Sequence, residues 1–265
     1  MFCSAKERIL TIPAGKMRYI TFGRGAKPMV IIQGLNTNGI HGSAAALSWM
    51  YRLFTKTYTV YLFDRREEIT TDISVRELAL DLAQAMDALS IAGAHVLGVS
   101  QGGMIGQYLA IDRPDLVEKL VLAVTASRNN PTVETAVNNW ITQIQRGHIK
   151  EFVADMAVKL YSERYVKQYL PFLPLLKLLQ KPKDPCRFIR LAKSCLTCSA
   201  YDELEKIQCP VFVIGGREDQ VVGSKASEEI AKKLNCKLFL YEDLGHAAYE
   251  EAKDFNRRVY DFFRE

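Results

Sequence analysis

Leu97-Gly98-Val99-Ser100-Gln101-Gly102-Gly103 is the stretch whose reading decides the fold. An apolar strand, Ala94 to Val99, runs into a serine flanked by glycines, and a helical stretch begins at once. A G-x-S-x-G pattern alone is common. Between a strand and a helix it describes a sharp turn that exposes the serine hydroxyl, with glycines removing the side chains that would block so tight a bend. An acid and a histidine follow later in the chain, in that order: Asp219 and His246.

Outward from this turn, strand and helix alternate. Arg18 to Phe22, Pro28 to Gln33 and Tyr58 to Phe63 read as strands, the second a continuous apolar run suited to a strand buried on both faces. Ala44 to Phe54 reads as a helix with Ser43 as its N-cap. Ser74-Val75-Arg76-Glu77 is a capping box, and Leu78, Leu82, Ala85 and Leu89 then fall on one helical face. The strand to Val99, a helix from Gln101 to Asp112 and a strand from Leu120 to Val124 complete the first part. From Asn129 to Tyr201 the pattern is helical, interrupted by Pro131, Pro171, Pro174, Pro182 and Pro185. Alternation resumes with a strand Pro210 to Ile214, a helix Lys225 to Leu234, a strand Lys237 to Tyr241 and a last helix Ala248 to Phe263. The expected fold class is α/β: a mostly parallel sheet with helices on both faces, residues 1–127 and 202–265 forming the core and 128–201 an inserted helical cap. Such an insertion lies over the carboxyl edge of the sheet, where open α/β folds bind ligands.

Composition narrows the classes. The chain has 265 residues, enough for one large domain, with 48% apolar and 25% charged residues. A net charge of +5, unconcentrated in any recognisable motif, argues against a nucleic-acid partner. The N-terminus lacks the apolar stretch of a signal peptide, and no run is long enough to span a bilayer, so neither secretion nor stable membrane insertion is expected. Six cysteines, unevenly spread, read as reduced thiols of a cytoplasmic protein; Cys195-Leu196-Thr197-Cys198 lacks the second pair a zinc site needs.

Serine needs a base to take its proton and a third group to hold that base. Ser100 is the nucleophile candidate. His246, in a loop after a strand, is the base; His95 opens a strand at the far edge, His148 lies in the insertion, and His41 follows the first loop. Asp219 follows the strand Val211 to Gly216 on the same edge as Ser100, with Glu218 as its rival; Thr125 to Arg128, after the preceding strand, offer no carboxylate. The amide of Gln101, at a helix N-terminus, and that of Leu35, in Gly34-Leu35-Asn36, are the candidate donors to an oxyanion.

Together with Asp112-Arg113-Pro114-Asp115-Leu116-Val117, Cys209 to Asp219 and Leu244-Gly245-His246, the nucleophile turn makes the chain resemble the α/β-hydrolase superfamily, among the small hydrolases with a helical cap. The resemblance spans nearly the whole length and aligns Asp219, not Glu218, with the family's catalytic acid. Two departures stand out. Gln33-Gly34 occupies the place of the usual His-Gly, and Arg66-Glu67-Glu68 replaces a glycine-rich turn after Asp64 and Arg65, which are read as structural. What the resemblance implies is a serine hydrolase of a small or medium carboxylic ester, thioester or lactone, acting on a small-molecule acyl substrate with no metal or organic cofactor. Carbon–carbon bond hydrolysis, cofactor-free peracid formation, or a non-catalytic receptor are the alternatives on the same fold. The insertion adds an apolar stretch, Leu170 to Leu179, and ten basic against four acidic residues between Lys150 and Lys193, a pattern open to an anionic substrate or a solvated basic face. Oligomeric state is not legible.

Overall fold

Residues that alternate between two apolar neighbourhoods build the sheet. In β3 (Lys27–Ile32), Met29 and Ile31 face one hydrophobic cluster while Val30 and Ile32 face the other. In β5 (Ala94–Val99), Val96 faces one and Leu97 and Val99 the other. A strand buried on both faces must be covered on both. The computed structural model, which describes residues 5–169 and 181–265, does this with helices on each side of an eight-stranded sheet.

The other strands are β1 (Lys6–Ile12), β2 (Gly15–Gly23), β4 (Tyr58–Arg66), β6 (Val117–Ala123), β7 (Val211–Gly216) and β8 (Lys237–Tyr241), in spatial order β1-β2-β4-β3-β5-β6-β7-β8. The pairs β1·β2 and β2·β4 are antiparallel and the rest parallel. From β3 the chain crosses to β4 on one side, then returns to β5 on the other. The carboxyl ends of β3 and β5 therefore face a crevice where successive connections diverge, the place at which such sheets bind ligands.

The helices are α1 (Ala44–Met50), α2 (Val75–Ala88), α3 (Gln101–Asp112), α4 (Pro131–Gln145), α5 (Ile149–Leu160), α6 (Glu163–Tyr169), α7 (Pro185–Cys195), α8 (Ala226–Leu234), α9 (Ala248–Glu251) and α10 (Phe255–Arg264). The capping box before α2 is formed: the Glu77 amide donates to Ser74 Oγ at 3.2 Å and the Ser74 amide to Glu77 Oε2 at 2.8 Å. Phe255, Val259, Phe262 and Phe263 supply the apolar stripe of α10. Between 128 and 201 the described residues hold helices α4 to α7 and no strand, only one isolated bridge between Arg128 and Ser199. Phe152 of α5 and Phe188 of α7 meet edge-on with ring centroids 5.3 Å apart, in the same apolar cluster as α2 and α3.

Three local readings change, and a fourth falls outside the described residues. β1 was not legible because it is an edge strand, with only Ile12 buried. The helix after Ser43 stops at Met50 and tightens into a 3₁₀ turn at Arg52–Phe54, and the Ser43 side chain makes no cap bond. The last helix is two, because Ala252 adopts extended backbone (φ −78°, ψ 117°) and redirects the chain before Phe255. Leu170 to Leu179 lies outside the described residues.

His95 sits at the amino end of β5, far from Ser100, with Nδ1 3.1 Å from Tyr58 Oη. It is 2% exposed, and burial, with Lys27 nearby, pulls its pKa from 6.5 down to about 4. The unfolded chain therefore binds this proton more readily between pH 6.5 and 4, so stability is full above that window and is lost as pH falls through it. His95→Phe removes the effect. Urea unfolding from pH 7 to 4 is expected to show wild type losing up to ~3 kcal/mol relative to His95→Phe, a comparison in which the other carboxylates cancel.

Candidate active site

The turn after β5 forces Ser100 into the left-handed region, at φ 54° and ψ −120°. A non-glycine residue there is strained, so the surroundings must over-determine it. They do. The Ser100 amide donates to Ala123 O of β6 at 2.8 Å, and its carbonyl accepts from Gly103 N (2.8 Å), Met104 N (3.1 Å) and Thr125 Oγ1 (2.7 Å). The flanking glycines permit the approach: a Cβ on Gly98 would lie 2.5 Å from Gly102 O, and one on Gly102 only 2.0 Å from Ile32 O.

His246 lies between α9 and β8, 3% exposed, and brings two other sequence candidates together. Its Nε2 is 2.8 Å from Ser100 Oγ and its Nδ1 is 2.8 Å from Asp219 Oδ2. With Nδ1–H donating to the carboxylate, Nε2 is left to accept the serine proton, the tautomer this network selects. The carboxylate is itself fixed, Oδ1 accepting from the amides of Val221 (2.8 Å) and Val222 (2.9 Å). Glu218 is exposed and takes no part. Among the other histidines, His41 is 71% exposed and bonded to Glu7, and His148 is exposed ahead of α5.

The segment after β3 passes directly over the serine, since a Cβ on Gly34 would lie 3.2 Å from Ser100 Cβ. The amides of Leu35 and Gln101 have no protein acceptor among the described residues. Gln101 opens α3 directly after Ser100, and Leu35 follows Gly34 in the segment over the serine.

Three contributors escaped sequence reading. Thr125 follows β6 in a stretch without a motif, and its Oγ1 donates to Ser100 O. Val124 beside it adopts φ 44°, a rare state for a β-branched residue, with its amide bonded to Ile214 O at 2.9 Å. Arg65, read as structural, is buried and reaches Gln101. Asp64 does hold structure, accepting from Ile40 N (3.1 Å) and Arg65 N (2.7 Å). Cys195 and Cys198 are buried, which pushes their thiols up to about 11 and about 12 and keeps them protonated.

The inserted helices grip this edge. Leu160 O at the end of α5 accepts from Ala247 N at 2.7 Å, and Tyr161 Oη donates to Glu250 Oε2 at 2.7 Å. Asn130 Nδ2 donates to Val222 O at 3.0 Å, beside the Asp219 turn. Arg187 donates to the carbonyls of Arg65, Arg66 and Glu67, and Arg190 to that of Ile69.

A strand–serine–helix turn, a buried His–Asp pair on the next loops and this strand order define an α/β hydrolase. Residues 27–253 match the model of the alpha/beta hydrolase fold family, and the chain belongs to that family. It is similar to the protein named "Putative carbamate hydrolase RutD" of Pseudomonas syringae pv. syringae, 27% identical over 80% of this chain and 85% of that one. Among solved structures it resembles MGS-M2, an alpha/beta hydrolase enzyme from a Medee basin deep-sea metagenome library, with TM-score 0.87 at 22% identity over 97% of this chain and 98% of that one. The enol-lactonase from Burkholderia xenovorans LB400 follows the same fold, with TM-score 0.82 at 21% identity over 97% of this chain and 100% of that one. No helix among the described residues is long and apolar enough to cross a membrane.

The glycines yield a paired prediction. Gly102→Ala drives a Cβ into the Ile32 carbonyl and is expected to cost about 3 kcal/mol or more. Gly106→Ala, one turn further along α3, meets side-chain methyls alone, Leu120 Cδ1 at 3.3 Å and Ile32 Cδ1 at 3.7 Å, and is expected to stay within about 1 kcal/mol of wild type. Equilibrium denaturation of the two variants side by side checks the contrast.

Proposed function

We propose that the protein is a serine hydrolase of small or medium carboxylic esters and related acyl compounds, working through an acyl-enzyme. The observation that carries this reading is the continuous hydrogen-bonded run from Ser100 Oγ through His246 to Asp219, with 2.8 Å at each link. Ser100 attacks the acyl carbonyl as His246 Nε2 takes its proton. The amides of Leu35 and Gln101 hold the oxyanion of the tetrahedral intermediate. His246 returns the proton to the leaving group, the carbon–leaving-group bond breaks, and an ester to Ser100 remains. Water, deprotonated by the same nitrogen, attacks this ester, and its collapse releases the acid and restores the serine. Asp219 keeps Nδ1 protonated and stabilises the imidazolium formed at each step.

Serine as nucleophile favours acyl transfer over the alkyl-ester chemistry of an aspartate in that place. The names of the relatives point the same way: a carbamate and an enol-lactone both present an acyl carbonyl to the nucleophile. In this reading residues 128–201 form a cap over residues 1–127 and 202–265, supported by the bonds from α5 and α7 to the loops around the serine. The partner is a small molecule, and the uneven spread of cysteines supports a cytoplasmic setting.

Intact-mass labelling with a fluorophosphonate probe is the test. Wild type is expected to gain one adduct, Ser100→Ala none, and His246→Ala and Asp219→Asn to label far more slowly. On p-nitrophenyl esters, Ser100→Ala is expected to lower kcat by at least about 10⁴-fold. A folded wild type that neither labels nor turns over any acyl substrate would favour a non-catalytic receptor.

A further inference from the structure

The guanidinium of Arg65 is 5% exposed, yet no carboxylate lies within ion-pair distance of it among the described residues. The neighbouring Asp64 acts on it only through space, its oxygens being taken by the amides of Ile40 and of Arg65 itself and by Arg187 at 3.6 Å. Burial pulls the Arg65 pKa down to about 10, so the side chain remains a cation at neutral pH. A buried cation bonded only to neutral groups is costly, and an apolar side chain would fill the same space without that cost. What the guanidinium adds is a rigid fork of donors.

The fork bridges two segments. Nη2 donates to Gln33 O at 2.5 Å and to Gln101 Oε1 at 2.9 Å, and Nε donates to Gln101 Oε1 at 3.2 Å. Gln33 leads directly into Gly34-Leu35, and Gln101 follows Ser100, so the bridged residues belong to the two segments that carry the oxyanion donors. Gln101 Nε2 donates in turn to Leu191 O (2.7 Å) and Ser194 Oγ (3.1 Å) of α7. From outside, Arg187 of the same helix bonds the Arg65 carbonyl at 3.2 Å. The segment after β3 and the serine turn are thus joined through this one side chain.

We infer that Arg65 is the positioning residue of the oxyanion hole, fixing the distance between the Leu35 and Gln101 amides and linking it to the seating of α7. The inference rests on the serine-hydrolase reading. A donor misplaced by a fraction of an ångström stabilises the transition state poorly while leaving substrate binding nearly intact, so the effect falls on kcat.

The test compares wild type, Arg65→Lys, Arg65→Ala and Gln101→Leu on p-nitrophenyl acetate, with each rate normalised to sites titrated by the fluorophosphonate probe and Ser100→Ala, which takes no probe, as the background. Lysine can reach one of the two acceptors but not both. Arg65→Lys and Gln101→Leu are expected to lower kcat per titrated site at least about 30-fold with KM within about twofold. Methylguanidinium is expected to restore part of kcat to Arg65→Ala and nothing to Gln101→Leu. A merely structural role would reduce the number of titratable sites and leave kcat per site alone. A labelled wild type with Arg65→Lys and Gln101→Leu within threefold of it per site would overturn this inference and spare the hydrolase reading. If Arg65→Ala does not fold, the two remaining variants decide. A wild type that takes no probe would sink both.

Discussion

The contact on which the rest depends is the approach of the α3 N-terminus to the end of β3, where Gly102 lies against Ile32 O. Ser100 can sit at φ 54° only because that approach is possible and because Ala123 O and Thr125 Oγ1 take up its backbone groups. Strain of this kind costs about 1–3 kcal/mol and persists only where neighbours enforce it. Here the consequence is chemical. The hydroxyl is lifted off the strand toward His246, the helix dipole points at the same spot, and the segment after β3 is brought within van der Waals range of the serine. A second left-handed residue, Val124, stands at the end of the adjacent β6, so two neighbouring strands both terminate in enforced bends around one point.

Much of this was written in local sequence. Strand, glycine, serine, glycine and helix follow one another without a break from Ala94 to Asp112, and the helix read from Gln101 to about Asp112 is formed there. Asp219 and His246 follow strands whose apolar runs are unmistakable, so topology alone carries both to the edge that holds Ser100. The capping box at Ser74 is local by nature and formed as read. Illegible features are those settled by partners distant in sequence. β1 owes its existence to pairing with β2 rather than to an apolar run of its own. The break at Ala252 and the tight turn after Met50 answer to packing between the two segments, where Asn256 Nδ2 bonds Met50 O. Thr125 carries no motif, and its role appears only once β5 and β6 are side by side.

Arg65 makes the same point for charge. By sequence it is one of two consecutive arginines after a strand, unremarkable on a surface. In the fold, β4 delivers it beneath the serine turn while Arg66 extends toward Asp81 of α2 at 3.4 Å. The register of β4 against β2 shifts at this end of the strand, so simple alternation does not assign these two side chains their places.

The inserted helices show why substrate choice is harder to read than chemistry. Their excess of basic residues suggested either an anionic ligand or a solvated face, and α7 does neither with two of them. Arg187, 15% exposed, and Arg190 are turned onto the backbone carbonyls of residues 65 to 69, and Lys193 lies 3.3 Å from Asp72. That stretch, Arg65-Arg66-Glu67-Glu68-Ile69, leaves the end of β4. Carbonyls that leave the ladder need other donors, and α7 supplies them. Arg187 and Arg190 are thus taken up by the segment beneath them, and a count of charges along the chain registers only their sign.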